Sequence, residues 1–285
     1  MQQGDNMLIS DRKAADRAQA TYPDGTREAV RFDFVSIIFQ ARDGREVLAV
    51  DNVDLRIMQK EFVALVGPSG CGKSTLLRSV AGLVNPSKGD VRVNANDGLT
   101  GFARVAVVFQ AATLLPWKTV LGNLLYPVKF GTRKPGVDYM ERARELLAMV
   151  GLERFADAYP SELSGGMQQR VAICRALILD PDILLMDEPF SALDALTREE
   201  LQFELRRIHQ TTGKTILFVT HSMSESVLLA DRIVVMAAHP GRIKDDFRVD
   251  LPAQRDASTL DLPEFATHVK RVRDGIYGET RGVKR

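Results

Sequence analysis

The chain is poor in cysteine and tryptophan, with two of the first, Cys71 and Cys174, and one of the second, Trp117, among 285 residues. Two cysteines cannot build a disulfide framework. Cys71 stands in a glycine-rich loop and Cys174 in an expected helix, so no structural bridge is expected and the usage suits a reducing compartment. An excess of charge of one sign is also missing: 38 Lys and Arg face 37 Asp and Glu, a net charge of +1. That balance gives little attraction for a phosphate backbone or an anionic membrane surface, and no nucleic-acid partner is expected. No apolar run approaches the ~20 residues of a membrane-spanning helix, so any membrane role is expected to be peripheral and to act through a partner. Where a signal peptide would need an apolar segment, residues 1–29 carry Asp5, Asp11, Arg12, Lys13, Asp16 and Arg17. Internal repeats, low-complexity runs, metal-ligand clusters and covalent-nucleophile constellations are likewise not seen. What remains is an ordinary globular composition, 45% hydrophobic and 26% charged, long enough for one large domain or two small ones.

Apolar periodicity orders the chain. Residues 1–29 read as a flexible extension with one short helix around 11–20. Phe32, Phe34, Val35, Ile37, Ile38 and Phe39 mark a strand over 31–40, Asp43-Gly44 a turn, and 47–57 a second strand. The short apolar run 62–66 suits a buried parallel strand. A helix over 75–81 ends at Gly82 and Pro86, and strands follow at 91–93 and 104–109; the stretch 94–102 carries no readable motif. Between 111 and 177 the character turns helical, with helices at 121–126, 137–150 and 164–177. Strands resume at 183–186, 215–219 and 233–236, separated by helices at 195–211 and 222–230. Alternating strand and helix predicts an α/β fold with a mostly parallel sheet covered on both faces. After Pro252, Phe265, Val269, Val272 and Ile276 recur at helical spacing, with Pro263 near the first turn. That tail helix either docks on the domain surface or meets a partner. His209, His239 and His268 lack any chemical context and are expected at the surface.

Two segments carry chemistry. Gly67-Pro68-Ser69-Gly70-Cys71-Gly72-Lys73-Ser74-Thr75 fits the phosphate-binding loop pattern, with an apolar strand before it and a helix after it. Its glycines let successive N–H groups face a β-phosphate, and the helix start adds its positive end. Lys73 is expected on the β- and γ-phosphate oxygens, the Ser74 hydroxyl on Mg2+, and Thr75 within reach of the α-phosphate. Cys71 is part of the loop but is given no chemistry. The second segment, Ile183-Leu184-Leu185-Met186-Asp187-Glu188-Pro189, is an apolar strand ending in carboxylates. Asp187 is placed beside the metal, and Glu188 is placed to polarise an attacking water as general base. A bare glycine turn and a solvated acidic turn are the bland readings, and the two elements in one chain outweigh them.

A third motif narrows the class. Leu163-Ser164-Gly165-Gly166-Met167-Gln168 resembles the LSGGQ signature of ATP-binding cassette (ABC) subunits, with Met167-Gln168 in place of the usual glutamine. The resemblance runs over roughly residues 31–250. It implies the ABC-type P-loop fold: a mostly parallel core with an antiparallel β subdomain and a helical subdomain at about 111–177, within a domain of about 30–250. Residues 251–285 form the tail. Ser164 and Gly166, at a helix start, suit an anion. The family implies that this anion is the γ-phosphate of ATP held by an opposing subunit, with Gly165 and Gln168 in the same contact. Gln110 resembles the Q-loop glutamine that reaches Mg2+ and water. Asp194, in Ser191-Ala192-Leu193-Asp194, resembles the D-loop at the dimer interface, and His221 the switch histidine on the γ-phosphate. Phe39 stands where family members stack adenine, though it could instead be core in an alternating strand.

Leu114-Leu115-Pro116-Trp117, with neighbouring stretches, is similar to bacterial importer subunits for nitrate, sulfonate, taurine or related small anions. That similarity implies a homodimeric ATPase using ATP and Mg2+ on the cytoplasmic face of the cell membrane. It also implies a permease docked near Leu114–Trp117 and an extracytoplasmic solute-binding protein in the same system. Burial of Trp117 in the core is the plain alternative. Rival readings are an exporter subunit and a soluble cassette ATPase acting on ribosomes or DNA.

Overall fold

The computed structural model describes residues 27–41, 43–94, 104–131 and 133–278. The expected helix at 11–20, most of the N-terminal extension and most of the stretch 94–102 lie outside the described residues.

Strands β1 (Glu28–Gln40) and β2 (Glu46–Met58) pair antiparallel around the Asp43-Gly44 turn. Strand β4 (Lys88–Val93) pairs with the other edge of β1, so the first sheet has the order β2-β1-β4. The second sheet has the order β5-β6-β7-β3-β8-β9. Its parallel members are β3 (Phe62–Val66), β5 (Val105–Val108), β6 (Ile183–Asp187), β7 (Thr215–Thr220) and β8 (Arg232–Ala237). Strand β9 (Arg242–Arg248) joins antiparallel at the edge.

The run Arg-Ile-Lys-Asp-Asp-Phe-Arg of β9 offers only Ile243 and Phe247 to a core, and no strand is expected there from the sequence. The ladder to β8 forms it anyway, since an edge strand needs one partner and tolerates polar side chains.

The central strands are buried on both faces and sort their side chains by the two-residue period. Phe62, Ala64 and Val66 point with Leu184, Met186, Ile216 and Phe218 into one core, under the helices. Val63 and Leu65 point with Ile183, Leu185, Leu217 and Val219 into the other. The antiparallel sheet and helix α1 (Lys73–Val80) cover that second core with Phe32, Ile37, Leu76 and Leu77.

Between β5 and β6 lie α2 (Val120–Leu124), α3 (Tyr139–Met149) and α4 (Gly165–Leu177). Each starts at a capping side chain, from Thr119, Asp138 and Ser164 respectively, which supplies acceptors for otherwise unpaired N–H groups. Helices α5 (Ala195–Thr212) and α6 (Met223–Leu229) connect β6 to β7 and β7 to β8, capped by Asp194 and Ser222.

The tail helix α7 (Pro263–Tyr277) buries Phe265 and Val272. Before it, Arg255 is buried and donates to the carbonyls of Val227, Leu228 and Ala230 at the end of α6. Between the two readings of the tail, this is the docked one.

His209 departs from the surface placement. It is 7% exposed, with its ring edge-on to Phe62 at 5.3 Å and its Nδ1 3.0 Å from the Lys214 carbonyl oxygen. It follows Leu201, Leu205 and Ile208 on the buried side of α5, where the ring satisfies its polar atoms locally.

Candidate active site

The parallel strands bring the expected residues to one edge of the sheet. Val66 is level with Thr220, Asp187 with Val219, and Val108 with Met186. The loops that follow these strands therefore leave side by side, carrying the glycine-rich loop, Glu188, His221 and Gln110. Open α/β sheets bind ligands outside these carboxyl ends.

Gly72 is the N-cap residue of α1 at φ 88°, a left-handed conformation. A Cβ there would stand 2.7 Å from Val50 Cγ2 and 2.9 Å from the Ala49 carbonyl oxygen. The position demands glycine twice, for its dihedral and for its space. Ser69 and Gly70 are exposed at the loop crest, and Thr75 is half-buried on α1. Cys71 is buried, and that burial raises its thiol pKa against the lowering influence of Lys73. Lys73 is 5% exposed. Its Nζ donates to the carbonyls of Gly67 at 2.8 Å and Pro68 at 3.1 Å. The ammonium thus closes the loop onto itself.

Ser74 Oγ donates to Asp187 Oδ1 at 2.6 Å, which joins the two segments read from the sequence. Both groups are oxygen donors suited to a hard cation. Two oxygens alone leave most of an octahedral shell to phosphate and water, so the residues present fit Mg2+ brought with a nucleotide.

Glu188 sits at φ 48°, strained for a residue with a side chain. It is held there by its N–H to the Val219 carbonyl and by Ser191 Oγ donating to its own carbonyl. The result turns its carboxylate to His221, with Oε2 2.9 Å from Nδ1. The histidine is mostly exposed beyond the edge of the sheet, at 58% of its side chain.

Gln110 is exposed just after β5. Its loop is held by residues the sequence did not single out. Gln169 of α4, 3% exposed, donates to the Phe109 carbonyl, and Arg175 donates to the carbonyls of Ala112 and Thr113. The signal was available in part: Gln169 and Arg175 are polar groups on a helix that must bury one face.

Ser164 caps α4 by accepting from the Met167 N–H, and Asp194 caps α5 by accepting from the Thr197 N–H. That second bond heads the causes that lower the Asp194 pKa. The two caps form one patch. Gly165 faces Leu193, and a Cβ on Gly166 would fall 2.1 Å from Thr197 Cγ2. The Gln168 amide donates to the carbonyls of Pro160 and Leu163, fastening the turn before α4.

Phe39 and Val47 are direct cross-strand partners, 42% and 50% exposed. They form an open apolar pair on β1 and β2, about 10 Å along the strand from the Val50 that abuts Gly72.

Leu114 and Leu115 are half-buried, whereas Pro116 and Trp117 are exposed, Trp117 at 69%. The core alternative for Trp117 is overturned. The buried Asn123 explains the turn. Its Oδ1 accepts from the Leu115 N–H, and its Nδ2 donates to the carbonyls of Leu115, Lys118 and Thr119. One side chain ties both arms of the turn, and Trp117 is left at its tip.

A family model described as ABC transporter matches residues 50–191. An uncharacterised ABC transporter ATP-binding protein of Methanocaldococcus jannaschii is 49% identical over 233 residues, 81% of this chain and 86% of the relative. A taurine import ATP-binding protein of Rhizobium johnstonii is 44% identical over 250 residues, 86% of this chain and 95% of the relative. Among solved structures, a dimeric bacterial ABC transporter cassette is 35% identical with a TM-score of 0.65, covering 77% of this chain and 98% of its own. A dimeric post-hydrolysis cassette bound to ADP and phosphate is 34% identical with the same TM-score of 0.65 and the same coverage.

Proposed function

The chain belongs to the ABC transporter family, and from that premise we propose that it is the ATP-hydrolysing subunit that powers import of a small solute through a membrane permease. The solute class we assign is a nitrate-, sulfonate- or taurine-like anion. The taurine import subunits among its relatives, 44% identical in Rhizobium johnstonii and 43% in a Jannaschia strain, support that class. No helix among the described residues is long and apolar enough to cross a membrane. The subunit acts peripherally, at the cytoplasmic face, against permease subunits that a solute-binding protein supplies from the other side.

The observation that carries the hydrolytic reading is the paired geometry at the sheet edge: Ser74 on Asp187, and Glu188 on His221. In this reading, ATP displaces the carbonyls of Gly67 and Pro68 from Lys73, and the ammonium turns to the β- and γ-phosphate oxygens. The loop N–H groups and the start of α1 receive the β-phosphate. Phe39 stacks the adenine, with Val47 beside it. Mg2+ would be held by Ser74, Gln110 and Asp187, and it would supply charge neutralisation on the phosphate oxygens. Glu188 accepts the proton of the attacking water, and His221 orients that carboxylate while its far nitrogen faces the γ-phosphate.

Two copies face each other so that Ser164, Gly165 and Gly166 of one close over the nucleotide of the other. Asp194 lies at the same interface, and Gln168 holds the turn that presents the patch. Closure and reopening of the dimer drive the permease through the Leu114–Trp117 turn.

The test is Glu188→Gln, which keeps the shape and removes the base. ATP should bind and trap a dimer with turnover reduced by about 100-fold or more, read by size-exclusion chromatography and phosphate release. Wild-type turnover in that variant would remove Glu188 from the role.

A further inference from the structure

Behind the His221 loop lies a polar network that the catalytic reading does not use. Glu225 of α6 is 7% exposed, and burial raises its carboxyl pKa despite the hydrogen bonds it accepts. Its Oε2 accepts from the Thr220 hydroxyl at 2.6 Å, and its Oε1 accepts from the Gln202 amide of α5 at 3.1 Å. Thr220 Oγ1 in turn accepts from the Ser222 N–H at 2.9 Å, and Ser222 Oγ accepts from the Glu225 N–H at 3.3 Å. His221 is thus flanked by Thr220, which holds the Glu225 carboxylate, and by Ser222, which is tied to the Thr220 hydroxyl and to the Glu225 backbone N–H.

Arg198 supplies the other end. It lies on the first turn of α5, and its Nη2 donates to the Leu193 carbonyl at 2.8 Å, next to Asp194. Its Nε is buried and has no hydrogen-bond partner. That Nε stands 3.9 Å from Glu225 Oε1, about 1 Å beyond hydrogen-bond length. A cavity of about 240 Å³, lined by Ala195, Arg198, Gln202, Ser222, Glu225 and Leu260, lies beside this pair.

We propose that Glu225 is a positioning residue that couples the Leu193–Asp194 segment to His221 through Arg198. A shift of the α5 start toward α6 completes the Arg198 Nε to Glu225 bond. The completed bond draws on the carboxylate that holds Thr220 and, through the Thr220 hydroxyl, Ser222, and so sets the angle at which His221 meets Glu188. The proposal rests on the hydrolytic reading above for its purpose, but its linkage can be read without catalysis.

The experiment is amide hydrogen exchange by mass spectrometry on the full chain, for wild type, Arg198→Met and Glu225→Gln, together with ATP turnover. Arg198→Met lies on α5, yet it should raise exchange in the 219–226 peptide about fivefold while peptides of the 28–58 sheet stay as in wild type. Turnover should fall about tenfold with KM for ATP within about twofold. Glu225→Gln should match both effects. Faster exchange confined to 190–205 would overturn the coupling. A rise throughout the chain would overturn it as well, since it marks lost stability. Where Glu225→Gln does not fold, Arg198→Met, a half-exposed side chain, decides alone. A wild-type chain that hydrolyses no ATP removes the hydrolytic reading, and the exchange pattern still decides the coupling.

Discussion

Lys73 has its ammonium bound by two carbonyls of its own loop while the rest of its side chain is sealed from water. A phosphate can replace those carbonyls because it meets the ammonium with a full negative charge, where a carbonyl offers only a dipole. Lys73→Ala should weaken ATP binding by about 10- to 100-fold, the worth of one hydrogen-bonded charge, measured by titration calorimetry. Unchanged affinity would count against the cradle. Residues of this kind were legible in the sequence because their chemistry is local. A fixed spacing after a strand makes Lys73 and Ser74 readable, and a strand ending in carboxylates does the same for Asp187 and Glu188. Asn123, Arg198 and Glu225 were not readable, and Gln169 only in part, since each acts on backbone or side chains that the fold brings near. His209 was misread for the related reason that the Phe62 ring it packs against is far away in the sequence.

Elements are joined at a few ionic points, and Asp180 is the clearest. It sits in the turn before β6 and is paired with Lys134, with Arg142 of α3 and with Lys214 ahead of β7. Burial by itself raises its carboxyl pKa, but the bonds from Lys134 and Lys214 outweigh that and hold it well below the ordinary carboxylate range. A depressed folded-state value means that the stabilisation is complete above the unfolded value of about 4 and is lost as pH falls below it toward the folded value. Asp180→Asn should therefore lower stability near neutral pH by about 1 kcal/mol, a figure reduced for partial exposure. Urea midpoints between pH 7 and pH 3 should show that gap closing below about pH 4. A gap independent of pH would mean that the charge plays no part. Buried strands, capped helices and the tail helix were all visible as patterns. Strand β9 was not, because its existence depends on the β8 edge rather than on its own apolar content.

At the scale of the whole molecule, three surfaces point outward with different chemistry. The Ser164 and Asp194 caps make a polar patch beside Leu196, which is 77% exposed. Trp117 stands alone at the tip of a turn fixed by Asn123, and Tyr126 and Phe130 form an exposed aromatic pair 5.2 Å apart. Trp117→Glu should cut recovery of the chain with a polytopic membrane protein from detergent-solubilised membranes by about tenfold, the loss expected of a central aromatic anchor, with the thermal midpoint reporting an intact fold. Recovery equal to wild type would move the permease contact elsewhere.

The glycine-rich loop is walled from far along the chain. Gly67 lies against the Met236 carbonyl, and Gly241 packs on the Cys71 carbonyl and on Ala49. A ribosome adds residues in order and at a finite rate. The loop and its Ala49–Val50 wall are therefore synthesised long before Met236 and Gly241, and the cradle is completed only when the last strands arrive. A messenger cut short before Gly241 would yield a product with every signature sequence present and a cradle lacking the residue that packs on the Cys71 carbonyl.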